Sequence, residues 1–321
     1  MKHCMAAACL RVGGGWLTSF SLFPAGFWLL MALMLPLAAH AGSEEHSAPA
    51  TDAPMQSVSS PDADNRDSAG AEDEPPLTVL FRGNRPRHAV VLLAGIYNDH
   101  EYFRPWQESF DGEDVLLLGW LPAHHVQRLE DTDRLLAREL MRLHEQGIRT
   151  VTLLAHSIGG LIAKGAVDRL HREGLAASFD TLELHAFGTP WGGFPGADLA
   201  HTNPLGHLVS YLARNPAWLD LGTHSDYLAA LARPMPPNGQ LFNYFSVYDE
   251  VALPGTDAAA QRYQALLQHA SVSVRVSGDD HTAYVRHPIN WLMRFARERS
   301  MDEQMAKRAI GRNDISANAS D

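Results

Sequence analysis

A serine stands between an apolar stretch and a pair of glycines in LLAHSIGG, residues 153–160. If a strand turned at once into a helix here, Ser157 would lie at the tip of a sharp elbow. Such an elbow needs small residues two positions before and two after the serine, because the backbones crowd there, and Ala155 and Gly159 occupy those positions. His156 should then point away from Ser157. The alternative is that Ser157 only caps a helix, which is a common role of serine.

An acid and a histidine follow the serine in the order that such an elbow requires. A serine hydroxyl is a poor nucleophile unless a base takes its proton, and the expected chain order is serine, acid, histidine. Asp249 ends a predicted strand in FSVYDEVALP, and His281 follows the last predicted strand in VSGDDHTAY. We expect Asp249 to orient the imidazole and His281 to act as general base and then general acid. The reserve candidates are Glu250 for the acid and His287 for the base.

Two backbone N–H groups would be needed to stabilise the oxyanion of a tetrahedral intermediate. The residue after the serine, Ile158, would supply the first. The loop after the apolar run VVLL would supply the second, from Ile96 or, in reserve, from Tyr97. The alternative for this loop is that Gly95 only permits a tight turn.

Strand-like and helix-like segments alternate through the region that must position these residues. Apolar runs predict strands at 77–81, 88–96, 114–121, 150–156, 181–188, 241–248 and 271–277, and amphipathic patterns predict helices at 128–147, 158–174 and 291–298. Continuous apolar runs are typical of strands covered on both faces. The alternation therefore predicts an α/β domain over residues 77–299, with a mostly parallel central sheet flanked by helices. Residues 193–239 interrupt the alternation and predict a helical cap.

The N-terminus has the pattern of an export signal. Lys2 and Arg11 precede a long apolar run that ends in Ala39-His40-Ala41. This predicts a signal peptide over residues 1–41, and a periplasmic or secreted protein. The alternative is an uncleaved anchor in the cytoplasmic membrane, with the body facing outward, because the run approaches the length of a spanning helix. This segment is the part expected to associate with a membrane.

Charge and composition argue against several classes of partner and of structural site. Residues 42–76 hold nine acids and one arginine, so they account for −8 of the net charge of −11 and predict a disordered acidic linker. The body shows no basic stripe, so we expect no nucleic-acid partner. The two cysteines, Cys4 and Cys9, lie in the predicted signal segment, so no disulfide framework or cysteine-ligated zinc is expected in the body. Residues 300–321 are predicted to be a C-terminal tail.

Four segments, in order, resemble the lipase and esterase group of the α/β-hydrolase superfamily over about residues 77–298. They are the elbow Ala155–Gly160, the Thr-Pro segment Phe187–Gly193, the stretch Asp220–Leu228, and Asp249–Pro254 around the acid. Two positions depart from the family pattern: Ala94 stands where histidine is frequent in the oxyanion loop, and Trp191 replaces the histidine that usually follows Thr-Pro. The resemblance implies an α/β-hydrolase fold and hydrolysis of carboxylic esters with no metal or organic cofactor.

The sequence thus predicts an exported serine hydrolase that cleaves ester or lipid substrates through an acyl-enzyme intermediate. Two alternatives stay open. The same three residues would also serve an amide, thioester or lipid-anchor deacylase, because the fold does not decide which bond is cleaved. The chain would otherwise be a non-catalytic binding module of the cell envelope.

Overall fold

The computed structural model describes residues 76–96, 98–121, 127–198, 216–278 and 280–318. The predicted signal peptide, nearly all of the predicted linker, Tyr97 and residues 199–215 of the predicted cap lie outside this range. Within it, no helix is both long and apolar enough to cross a membrane.

Seven strands form one sheet in the order β1-β3-β2-β4-β5-β6-β7. They are β1 (Leu77–Arg82), β2 (His88–Leu93), β3 (Val115–Trp120), β4 (Thr150–His156), β5 (Thr181–Phe187), β6 (Gly239–Phe245) and β7 (Val272–Arg275). Strand β1 runs antiparallel to β3, and every other pair is parallel. Each strand coincides with a predicted one to within about three residues at either end, so the mostly parallel sheet is confirmed.

Helices connect the strands and cover the sheet. They are α1 (Arg104–Gln107), α2 (Leu129–Glu145), α3 (Ile158–Arg172), α4 (Trp218–Leu221), α5 (Asp226–Ala230), α6 (Asp257–Leu267) and α7 (Ile289–Asn318). The three predicted helices are present as α2, α3 and α7. Helix α7 continues to Asn318, so the predicted tail is helical over most of its length. Helices α4 and α5 fall in the predicted cap, which itself stays a prediction because residues 199–215 are not described.

The apolar runs are explained by burial on both faces of the sheet. Alternate residues of β2 pack into two separate clusters: Ala89, Val91 and Leu93 on one face, and Val90, Leu92 and Ala94, which follows the strand, on the other. The first cluster includes α2 and α3, and the second includes residues of α1 and α7. All six side chains are fully buried. Covered strands of this kind, in a mostly parallel sheet flanked by helices, confirm the α/β class of fold expected from the sequence.

The strand order also decides where a site forms. From β2 the chain passes to β3 on one side, whereas from β4 it passes to β5 on the other. In open parallel sheets, the crevice outside the carboxyl ends of two such strands is the usual binding place. The loop with Gly95 follows β2, and Ser157 follows β4, so both lie at this switch point.

Candidate active site

Ser157 occupies the turn between β4 and α3 in a conformation that serine rarely adopts. Its φ is 56° and its ψ is −128°, and it is the only non-glycine residue with positive φ in the described ranges. Such backbone conformations cost about 1–3 kcal/mol and persist only where the surroundings enforce them. The side chain makes no capping hydrogen bond to α3. The helix-capping interpretation is therefore wrong, and the predicted elbow is present.

Glycines allow the neighbouring backbones to approach this elbow. A Cβ on Gly95 would stand 2.9 Å from the Cβ and 3.4 Å from the Oγ of Ser157. A Cβ on Gly159 would collide with the carbonyl oxygens of Leu93 and Ala94, at the end of β2. Gly95 therefore does more than permit a turn, because it brings the loop after β2 directly beside the serine.

Asp249 and His281 lie together, as the sequence predicted. The Nδ1 of His281 is 2.9 Å and 3.0 Å from the two carboxylate oxygens of Asp249. A carboxylate accepts, so Nδ1 carries the proton and Nε2 is left as the basic nitrogen. Asp249 is fully buried, whereas the His281 side chain is 19% exposed. The imidazole is thus oriented by a buried acid and reachable from solvent.

Further donors surround the Asp249 carboxylate. The hydroxyl of Tyr284 donates to Oδ2 at 2.6 Å, and the amides of Val251 and Ala252 donate to Oδ1 at 3.1 and 3.0 Å. Burial by itself raises the pKa of Asp249, but the hydrogen bonds and charge of His281, with the donors from Tyr284 and Ala252, lower it overall. The carboxylate is therefore held in its ionised form.

The described contacts link Ser157 to this pair only through its chain neighbour, His156. No hydrogen bond joins Ser157 Oγ to His281 among the residues described. Without substrate such bonds are often long, and they tighten when substrate binds. The neighbour of the serine, His156, does contact the histidine, with ring centroids 4.6 Å apart. The His156 ring has a stacking partner in Tyr102 and a main-chain acceptor on His281, and its orientation away from Ser157 stays a prediction.

The reserve candidates lie elsewhere. Glu250 is exposed, unlike the buried Asp249 beside it. His287 bonds through Nε2 to the carbonyl oxygen of Ser277, at 2.6 Å, and so serves the loop after β7. The third reserve residue, Tyr97, lies outside the described residues.

The two predicted oxyanion donors differ in what the geometry supports. Ile158 is the first residue of α3, and the N–H groups of a first helical turn have no intrahelical acceptor. Ile96 lies in the turn after β2, where the amide of Asn98 bonds to the carbonyl of Gly95 at 3.1 Å. Donation to an oxyanion at Ser157 by the N–H of Ile158 or of Ile96 stays a prediction.

Two residues near the site have roles that the sequence did not reveal. Tyr284 donates its hydroxyl to Asp249, the same carboxylate that His281 contacts. Its position three residues after His281 was the only feature of the sequence that could have indicated this role. Trp191 is buried and donates its indole N–H to Oδ1 of Asn243 on β6, at 2.9 Å. It therefore packs into the domain against β6.

Comparison with known proteins gives structural matches only. No protein-family model matches the chain, and no curated protein sequence matches it. A type II thioesterase from the yersiniabactin biosynthetic pathway is 18% identical, with 69% of this chain and 97% of that chain covered and a TM-score of 0.45. The mature lipase BlEst2 of Bacillus licheniformis is 16% identical, with 68% and 97% covered and a TM-score of 0.45. An α/β-hydrolase enzyme from a lagoon-sediment metagenome is 19% identical, with 71% and 98% covered and a TM-score of 0.46. Likenesses at this level do not identify a substrate.

Proposed function

We propose that this chain is an exported serine hydrolase that cleaves carboxylic esters through an acyl-enzyme intermediate on Ser157. The observation that carries the proposal is the backbone of Ser157, which is held at positive φ at the switch point of the sheet. Strain of this kind is retained where it serves a function. A buried acid and an oriented histidine, on loops after two other strands, supply the base that a serine nucleophile needs.

The proposed reaction begins with attack of Ser157 Oγ on the ester carbonyl carbon. His281 Nε2 takes the hydroxyl proton as the C–O bond forms, and the N–H groups of Ile158 and Ile96 stabilise the oxyanion. The intermediate collapses with release of the alcohol, which receives the proton from His281. Water then attacks the acyl-enzyme by the same sequence and releases the acid.

Asp249 acts through His281 in this scheme. Its carboxylate holds the Nδ1–H tautomer, so that Nε2 is the nitrogen free to accept a proton. It also stabilises the imidazolium that forms during the transfer. Because the pKa of Asp249 is lowered, the acid stays ionised throughout.

The test of this function is a pair of serine variants assayed on p-nitrophenyl esters of increasing chain length. Ser157→Ala should lose hydrolysis while the protein keeps its circular dichroism spectrum. Ser300→Ala is the matched control, because Ser300 is also buried but lies on α7, and it should retain full activity. Full activity of Ser157→Ala would refute the proposal. Matched oxygen ester, thioester and amide substrates then decide which bond is preferred.

Export rests on the N-terminal sequence, with its basic residues, apolar run and Ala39-His40-Ala41 site. Mass spectrometry of the protein made in a Gram-negative host should find a mature chain beginning at Gly42. A full-length chain in the membrane fraction would favour the anchor, and a full-length chain in the cytoplasm would contradict export.

A further inference from the structure

His156 occupies a buried position where three separate segments meet. It is the last residue of β4, directly before Ser157, and is 1% exposed. Its ring stacks on Tyr102 with centroids 4.3 Å apart and lies 4.6 Å from the ring of His281. Its Nδ1 is 3.3 Å from the point where a Cβ on Gly95 would stand. One side chain therefore lies beside the loop after β2 and contacts the turn at Tyr102 and the loop that carries His281.

The hydrogen bond of this ring is directed at the main chain of His281 itself. The Nε2 of His156 lies 2.7 Å from that carbonyl oxygen. A carbonyl only accepts, so Nε2 carries the proton, and the buried Nδ1 has no hydrogen-bond partner among the described residues. Burial and the neighbouring His281 lower the pKa of His156 to about 3. The ring is therefore neutral, and it donates this bond at every pH at which the protein would be assayed.

Two more side chains donate to carbonyls of the same loop. The hydroxyl of Tyr102 lies 3.4 Å from the carbonyl oxygen of Thr282. The indole N–H of Trp106 donates to the carbonyl oxygen of His287 at 2.7 Å. Of the three donors, only His156 bonds to the residue that bears the imidazole, and only His156 adjoins the serine in the chain.

We propose that His156 is a positioning residue that fixes the distance between the nucleophile and the base. This inference rests on the proposed function, because it assigns roles to Ser157 and His281. The Nε2–H bond ties the backbone of His281 to the end of β4, one residue from Ser157. The His156 ring, tilted by 43° with its centroid at 4.6 Å, also packs against the His281 imidazole, whose Nδ1 meets Asp249. Displacements of about 1 Å in such constellations lower rates by as much as about 100-fold.

Three substitutions of His156 distinguish the effect of its Nε2–H hydrogen bond from the effect of its ring stacking. His156→Phe keeps the stacking surface and loses the donor. His156→Gln places an amide N–H near the position of Nε2, whereas the amide of His156→Asn reaches only about as far as Nδ1. We expect kcat to fall about 10- to 100-fold in the Phe and Asn variants, with KM within about twofold of wild type. The Gln variant should recover at least about tenfold over Asn.

Trp106→Phe is the matched control for loosening of the loop as a whole. It also removes a ring N–H that bonds to a main-chain carbonyl, but that carbonyl belongs to His287, six residues from His281. This variant should lose thermal stability while its kcat stays within about threefold of wild type.

The possible results test the positioning role of His156 separately from the proposed hydrolase function. Wild-type kcat in the Phe variant, or equal kcat in the Gln and Asn variants, would overturn the role of His156 and leave the function intact. If the Phe variant does not fold, the Gln and Asn pair carries the same test. A fall in kcat for Trp106→Phe as large as that for His156→Phe would also overturn the positioning role of His156. A wild-type protein with no Ser157-dependent hydrolysis would overturn both proposals.

Discussion

Ser157→Gly should stabilise the domain relative to Ser157→Ala, because the site stores backbone strain. Alanine keeps a Cβ at φ 56°, ψ −128°, a conformation that costs a non-glycine residue about 1–3 kcal/mol. Glycine removes that strain but gains about 0.5–1 kcal/mol of unfolded-state freedom. The difference between the two contributions is about 0–2.5 kcal/mol, so the glycine variant should be more stable by about 1 kcal/mol, although neither variant should be active.

Urea unfolding at pH 7, followed by tryptophan fluorescence, measures this difference as a shift in midpoint at constant slope. Ser300 provides the control pair. It lies within α7, where glycine destabilises relative to alanine by about 1 kcal/mol, so the order of the two variants should reverse. If Ser157→Gly were no more stable than Ser157→Ala, the elbow would not be strained, and the main structural support for a nucleophile would be lost.

Three further outcomes follow from individual contacts. Tyr284→Phe removes a donor that lowers the pKa of Asp249, so the pKa of this carboxyl should rise when it is titrated by NMR in the variant and in the wild type; an unchanged pKa contradicts this. Glu183 has its pKa lowered to about 2, because hydrogen bonds and charge from His185 and Arg297 outweigh burial. Glu183→Gln should therefore lose up to about 3 kcal/mol of unfolding free energy at pH 7, and the deficit should shrink as pH falls below about 4.5 toward 2 in urea titrations; a pH-independent deficit contradicts this. Gly95→Ala would bring its Cβ to 2.9 Å from that of Ser157 and should destabilise the fold by about 1–3 kcal/mol, whereas wild-type unfolding would show that the loop yields.

The sequence predicted the elements whose signal is local. The seven apolar runs correspond to seven strands, and the three amphipathic patterns correspond to helices. Burial of a strand or helix on one or two faces gives its apolar residues a regular spacing that the sequence displays. The order of Ser157, Asp249 and His281 was also predicted, and the structure brings the last two into contact. Helix α6 was missed, because its residues are largely alanine and polar and only Ala259 and Leu266 are buried.

Contacts between distant segments were not predictable in the same way. His156 meets His281 across 125 positions of sequence, and Trp191 meets Asn243 across 52. The spacing of residues along the sequence does not predict such contacts, because they depend on how the loops after different strands are arranged in space. Trp191 was for this reason noted only as a departure from the resemblance to lipases and esterases, although it is a packing residue bound to β6.

The central claim is that Ser157 forms the covalent acyl intermediate, and a fluorophosphonate probe tests it most directly. Cleavage at Arg149 and Lys164 releases Ser157 in the tryptic peptide 150–164, which also contains Thr150 and Thr152, so fragmentation must locate the adduct. We expect one phosphonyl group per wild-type chain, on Ser157, and none on the Ser157→Ala variant. An unlabelled wild-type protein, or an adduct on any other residue, would contradict the proposed mechanism.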